Sequence, residues 1–339
     1  MKLPIAIART ILTLIGILCL SQAPRACAAE APAARIAHFA RDRAAAISYT
    51  FDDGNRDQYT LAVPMLNEVG FKGTFFEIAG KVAETPEEGE KHQDEKNARS
   101  FWGGISWPEL KKLSAQGHEI ASHTWTHPAL TKLSPEDLDA QFSKAYDAIK
   151  THVGRPPLTV AFPGNGRNDA VIADALKYHV AYRAYQQSTG DKSTTASLNA
   201  WADKLVKDQK WGIVMTHGIV KGYAAMTGPE IFHDHLKYVK SRDKDIWVDT
   251  FANVARYEKE RDDATLTIIE KKVGGLTFIL SGTLDPKLYD VPLTIVLNTQ
   301  GAAAARAMRS GKELAVRIEK DSLYLQAAPD AQPITVTWK

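Results

Sequence analysis

The sequence predicts an α/β barrel followed by a small all-β domain. From residue 42 to 262, short apolar runs alternate with helical patterns. That alternation favours a parallel sheet with helices outside it, expected to curl into a barrel. Residues 263–339 carry no helical pattern and hold only short β-rich runs, as in an antiparallel sandwich. A length of 339 residues with 44% hydrophobic and 24% charged content suits one large globular domain or one medium and one small domain.

Ahead of both lies MKLPIAIART, with a basic end, then the apolar ILTLIGILCL and the small-x-small site Ala26-Cys27-Ala28. Residues 1–28 are therefore expected to be a secretory signal, with an apolar run too short to span a bilayer comfortably. A lipoprotein reading fits poorly, because Leu18 precedes Cys19 and Arg25-Ala26 precede Cys27. Removing the signal takes Lys2, Arg9 and Arg25 and no acid, so 42 basic residues become 39 against 40 acidic ones, and the formal charge moves from +2 to −1. No nucleic-acid partner is expected at that balance, and no membrane span remains. Both cysteines leave with the signal, so no thiolate is available as nucleophile or ligand.

Residues 29–41, rich in Ala and Pro, read as a linker. AAAISYTF reads as a buried strand, QYTLAVPMLNEVG as a helix ending at Gly70, and GTFFEI as the second strand. The charged, non-periodic segment 80–105 reads as a long loop. WPELKKLSAQG is a helix with Pro108 near its start and Gly117 past its end, and HEIAS is the next strand. SPEDLDAQFSKAYDAIKTHVG has a Ser134 cap, Pro135 at the first helical position and apolar spacings of three and four. LTVAF, HVAYRAY, WGIVMTH and IWVD read as further strands, separated by helical segments near 168–178, 199–208 and 228–241. The β-rich runs TLTIIE, LTFILSG, VPLTIVLN, LAVRIEK, SLYLQA and PITVTWK complete the chain.

Functional side chains of a parallel α/β barrel gather at the carboxyl ends of its strands. Three groups lie there: Asp52-Asp53, the His123-x-x-x-His127 pair, and His217. Two His and one Asp suit zinc or a similar divalent ion and leave positions open for water and substrate. A second carboxylate can then take a proton from water, and a His on another strand can give one to a leaving group. Each group alone is as compatible with a polar turn or a structural histidine.

TFDDG (Thr50–Gly54), HTWTH (His123–His127) and THG (Thr216–Gly218), with GFKGTFF and GHEIASH between the first two, resemble the ordered motifs of the polysaccharide deacetylase family, the NodB-homology carbohydrate esterases. The resemblance spans roughly residues 42–260 and implies a distorted (β/α) barrel, a divalent metal, and hydrolysis of acetyl groups on N-acetylated sugars. By position it makes Asp52 the general base, Asp53, His123 and His127 the metal ligands, and His217 the general acid. Zinc is the expected ion, with cobalt or another divalent ion as alternatives. The family's Arg-x-Pro-x-Gly motif is altered to Ala161-Phe162-Pro163-Gly164, so Ala161 stands where an Arg would orient the catalytic Asp. Arg183 is the candidate substitute, with Arg167 behind it, since a guanidinium would hold Asp52 ionised. A backbone N–H near Gly164 is the expected oxyanion donor.

Trp125 is a candidate wall of the acetyl pocket and Trp102 a candidate sugar-stacking residue, whereas Trp107 is expected to staple a helix start. His233 and His235 are two apart on a helix and point to different faces. His118 is expected to support the strand before the ligands, and His38, His92, His152 and His179 default to structural or surface roles. The reading that follows is an exported metal-dependent hydrolase that removes N-acetyl groups from an N-acetylglucosamine-containing glycan. An O-acetyl esterase on acetylxylan-like polymer and a glycan-binding barrel without turnover stand beside it. Nothing in the sequence fixes the oligomeric state.

Overall fold

A computed structural model describes residues 33–92 and 102–339 of the chain. The expected signal sequence lies outside the described residues, as does part of the expected long loop. The first strand is a correction: β1 (Ala34–Ile36) falls inside the segment read as a linker, yet it pairs antiparallel with residues 295–297. Three residues are too few for alternation to register, and the partner is remote in sequence.

Eight strands form one all-parallel sheet. They are β2 (Ala45–Asp52), β3 (Thr74–Glu77), β4 (Glu119–Ser122), β5 (Thr159–Val160), β6 (Ala181–Tyr182), β7 (Gln187–Ser188), β8 (Trp211–Thr216) and β9 (Ile246–Val248). The order is β6-β5-β4-β3-β2-β8-β7, with β9 also paired to β2. Every residue of β2 is buried, as a strand covered on both faces requires. Its residues 46–51 run beside β8, residues 45–47 beside β9 and residues 50–52 beside β3. With only two residues each in β5, β6 and β7, the sheet is a curled half-barrel, the distorted form the family resemblance implied.

Helices cover the outside: α1 (Val63–Glu68), α2 (Pro86–Lys91), α3 (Trp107–Ala115), α4 (Pro135–Val153), α5 (Asp169–Ala175), α6 (Thr195–Asp208), α7 (Pro229–Ser241) and α8 (Phe251–Asp263). Local chemistry sets their ends. The Asp137 N–H donates to the Ser134 hydroxyl at 3.2 Å, and Gly154 closes α4 with a left-handed φ of 85°. Helix α2 corrects the reading of 80–105 as a structureless loop: Thr85 caps it, Pro86 opens it and Glu87 and Glu88 fill its first turn. A π-type turn, Gln58–Ala62, precedes α1.

Inside the barrel, Phe76, Ala121, Ala161 and Ile213 pack with Phe251 at the start of α8. The carboxylate of half-buried Glu119 accepts from Thr74 Oγ1 at 2.8 Å, Thr159 Oγ1 at 2.5 Å and the Ala252 N–H at 2.8 Å. A negative group at a helix N-terminus is electrostatically favourable, and here it ties α8 to three strands.

After α8 come β10 (Thr265–Lys272), β11 (Gly275–Ser281), β12 (Leu293–Asn298), β13 (Ala305–Arg309), β14 (Lys312–Leu314), β15 (Val316–Glu319), β16 (Ser322–Ala327) and β17 (Asp330–Trp338). They build two antiparallel sheets, β1-β12-β16-β15 and β10-β11-β17-β13-β14. Strand β13, ARAMR, escaped the sequence reading because it holds none of the β-branched or aromatic residues that mark strands. Phe278, Ile295, Leu325 and Val336 share one core with Phe39, Trp247 and Tyr257, so these sheets and α8 pack as a continuous apolar body. No helix among the described residues is long and apolar enough to cross a membrane.

Gly212 in β8 lies directly beneath α6: a Cβ there would sit 2.2 Å from Leu205 Cδ1 and 2.6 Å from Trp201 Cζ2. Gly212→Ala is expected to cost about 1–3 kcal/mol by overpacking, read as a lower urea midpoint at unchanged m-value. A midpoint equal to wild type would contradict this packing.

Candidate active site and metal centre

Strand ends bring the expected residues together. β2 delivers Asp52 and Asp53, β4 delivers His123, the turn after it His127, β6 Arg183 and β8 His217. Positive φ values at Asp53 (73°), Thr124 (71°) and His127 (62°) mark tight backbone turns at these positions. The side chains line a cavity of about 370 Å³ together with Trp102, Phe162, Gly164, Asn165, Met215 and Tyr223. Trp125 is not part of the lining: its ring packs over Gly80, where a Cβ would come within 2.8 Å of the indole. The Trp125 ring thus lies against Gly80 and not along the cavity that holds His123 and His127.

Asp52 is almost wholly buried and meets Arg183 in a two-pronged ion pair, Nη1 to Oδ1 at 2.7 Å and Nη2 to Oδ2 at 2.5 Å. Arg183 Nη1 also donates to Thr50 Oγ1 at 2.8 Å, and its guanidinium lies 5.0 Å above the Phe76 ring. The register Thr159↔Ala181, Val160↔Tyr182 makes Ala161 and Arg183 the next lateral neighbours. The guanidinium missing at Ala161 is thus supplied from one strand further along. Burial alone would push the Asp52 carboxyl up, but the charge and hydrogen bonds of Arg183, aided by His123 and His217, bring it down to about 2.

Asp53 has the opposite environment. Burial, then the adjacent Asp52 charge, pushes it up to about 7 against a hydrogen bond from Trp102 and the charge of Arg183. Its Oδ1 is buried without a hydrogen-bond partner among the described residues. His123 Nε2 lies 3.6 Å from that oxygen and His127 Nε2 3.7 Å. His123 Nδ1 pairs with the Ala161 carbonyl at 2.8 Å, so Nδ1 carries the hydrogen and Nε2 keeps its lone pair toward Asp53. Burial lowers the His123 pKa to about 3, which favours the neutral ligand form. One donor atom from each of the three residues falls within 4.8 Å of the others. Tetrahedral zinc with ligands at about 2.0–2.1 Å separates them by about 3.4 Å, so the orphaned oxygen, the fixed tautomer and the spacing all fit a divalent ion.

His217 Nε2 stands 3.8 Å from Asp53 Oδ2, and burial lowers its pKa. Tyr223, half out of the surface, meets the His217 ring edge-on at 5.1 Å. On the opposite ligand, Trp102 tilts over His127 with ring centres 4.7 Å apart. Gly164 lines the cavity in the turn Pro163–Asn165 with a left-handed φ of 57°. Beneath the site, Glu77 is fully buried with both oxygens unpartnered among the described residues, and burial with the charges of Asp53 and Asp52 pushes it up to about 8.

Other histidines stay outside. His233 pairs with Glu68 on the surface at 2.9 Å, while His235 is buried between Tyr49 Oη at 3.1 Å and Asn199 Oδ1 at 2.9 Å. His118 Nδ1 accepts the Gly73 N–H at 3.0 Å, and Trp107, buried at the start of α3, stacks on His152. Arg167 reaches the Ala184 carbonyl rather than Asp52.

Residues 40–182 match the family model described as polysaccharide deacetylase. Over that stretch, somewhat under half of the chain, the sequence is similar to the polysaccharide deacetylase family. The chain aligns with chitin deacetylase 1 of Cryptococcus neoformans at 29% identity, over 45% of this chain and 28% of that protein. A peptidoglycan-N-acetylglucosamine deacetylase of Listeria monocytogenes is 30% identical over 38% of this chain and 23% of its own. A gellan lyase from a Bacillus species is 23% identical over 89% of this chain but 13% of that protein, so the chain spans under a third of these relatives' lengths. Among solved structures, a family 4 acetyl xylan esterase from Clostridium thermocellum in complex with a cobalt ion is 18% identical with a TM-score of 0.45, covering 62% of this chain and 89% of its own.

The residues that sequence reasoning missed are Tyr223, Phe162, Met215, Asn165 and Glu77. Phe162 and Asn165 flank the altered Pro-Gly turn and Tyr223 follows THG, so motif neighbourhood was the available signal.

Removing Arg183 alone would leave Asp52 buried and unpaired. Arg183→Met is expected to cost about 3–5 kcal/mol of unfolding free energy, and adding Asp52→Asn is expected to recover part of it. Denaturant melts of the two variants check this; a double variant no more stable than the single one would contradict the ion pair's energetic role.

Proposed function

We propose that this chain is an exported, metal-dependent deacetylase that hydrolyses N-acetyl groups of N-acetylglucosamine-containing polysaccharide or oligosaccharide, releasing acetate. The observation that carries the reading is the division between two adjacent carboxyls, Asp52 held ionised by Arg183 and Asp53 unsatisfied between two histidines. When bound by Asp53, His123 and His127, the divalent ion, zinc in the first instance, supplies Lewis acidity and lowers the pKa of water. Asp52 accepts the proton of the attacking water on a carboxylate oxygen, since Arg183 occupies only part of its lone-pair capacity. His217 gives a proton from Nε2 to the departing amine. A backbone N–H at Gly164 is the donor assigned to the carbonyl oxygen as it becomes negative. Trp102 and Tyr223 line the cavity as aromatic surfaces for the apolar faces of sugar rings.

The glycan-binding alternative drew on the missing motif Arg, and the bidentate Arg183–Asp52 pair removes that reason to favour it. Export rests on the leader-like residues 1–28.

Acetate release from chitin oligomers, peptidoglycan, poly-N-acetylglucosamine and acetylxylan tests the proposal. Release from at least one acetamide substrate is expected to vanish with a chelator and return with zinc or cobalt. Asp52→Asn is expected to lower kcat by about 10²–10⁴-fold. Activity indifferent to chelation, or confined to acetylxylan, would contradict the reading.

A further inference from the structure

Among the described residues no hydrogen bond to Nδ1 orients the His217 ring, which meets only the edge-on Tyr223 ring. Its Nδ1 is buried with no hydrogen-bond partner among the described residues, and its Nε2 stands 3.8 Å from Asp53 Oδ2. The backbone around it is held instead. Gln58, fully buried in the π-type turn after TFDDG, donates from Nε2 to the Asp52 carbonyl at 2.6 Å and to the His217 carbonyl at 2.6 Å. The two acceptors fix the orientation of this amide, because only the NH₂ end carries two hydrogens. Breaks from regular α-helix of this kind recur at functional sites.

The preceding residue grips the same loop. Asp57 Oδ2 accepts three successive backbone N–H groups, from Ile219 at 2.9 Å, Val220 at 2.8 Å and Lys221 at 2.9 Å. Successive N–H groups converging on one oxygen make an anion-binding concavity, and here the anion is built into the chain. The loop cannot turn without losing three charge-assisted bonds. Gly218 is pressed onto it, with no room for a Cβ that would lie 1.8 Å from the Lys221 carbonyl oxygen.

We propose that Asp57 and Gln58 are positioning residues: by locking the His217 loop to the carbonyl of Asp52, they set the spacing between the group that accepts the proton and the group that donates it. Neither reaches the substrate; both act through His217, and the inference rests on the proton-donor role given to His217 above.

The discriminating quantity is the ratio of amide to aryl-ester hydrolysis by the metal-loaded full chain. An amine must be protonated to leave, whereas a nitrophenolate leaves without help, so loss of His217 placement affects the first reaction selectively. For Gln58→Met, kcat for acetate release from a chitin oligomer is expected to fall at least about tenfold further than kcat for 4-nitrophenyl acetate, with KM little changed. Asp57→Asn, which keeps an oxygen for the N–H groups, is expected to give the same selective loss at smaller size. In a His217→Ala background, Gln58→Met is expected to cost almost nothing more, as required of residues acting through one group. Equal losses on both substrates, or full additivity with His217→Ala, would overturn the positioning role while leaving the deacetylase reading intact. Wild-type protein that cleaves the ester but no acetamide would overturn both.

Discussion

Arg183 meets Asp52 with two hydrogen bonds in a place where both side chains are almost wholly removed from water. A charge in such a place is tolerable only when it is paired and bonded, so each residue depends on the other. The consequence reaches further. With Asp52 kept ionised, its charge adds to burial in pushing Asp53 up to about 7 and Glu77 up to about 8. Three carboxyls at the ends of β2 and β3, with one guanidinium from the end of β6, leave an excess of carboxyls around Asp53. A divalent cation held by Asp53, His123 and His127 would relieve that excess.

The fold makes this possible by converging strands rather than by local sequence. β2 sits between β3 and β8, so its carboxyl end receives groups from both directions. The Asp53 N–H donates to the Phe76 carbonyl and the His123 N–H to the Glu77 carbonyl, which links the ends of β2, β3 and β4 in series. Gln58 and Asp57 extend the series to the loop after β8. At the other end of the barrel, Glu119 and Phe251 close the bottom and join α8 to the strands that carry the site.

Much of this was legible in the sequence, for particular reasons. The parallel sheet with helices outside it followed from alternation of apolar runs with capped helices, its distorted barrel form only from the family resemblance, and Ser134 and Gly154 marked the ends of α4 as their chemistry requires. Asp52, Asp53, His123, His127 and His217 stood out because their residue types and order are specific. Arg183 was readable as a candidate, but its pairing depends on the β5–β6 register, which two-residue strands do not announce. Trp125 lies against Gly80, a placement that the sequence spacing of HTWTH does not reveal. β1 and β13 were hidden for lack of pattern, and Gln58 because a buried amide bridging two carbonyls leaves no trace in composition.

The central claim is that adjacent carboxyls hold separate jobs, Asp53 for the ion and Asp52 for the proton. Cobalt titration followed by visible absorption tests it without any substrate. Wild type and Asp52→Asn are expected to give saturable spectra of one bound ion with similar affinity, and Asp53→Asn is expected to lose the signal. Cobalt binding that survives in Asp53→Asn but disappears in Asp52→Asn would contradict the division of roles.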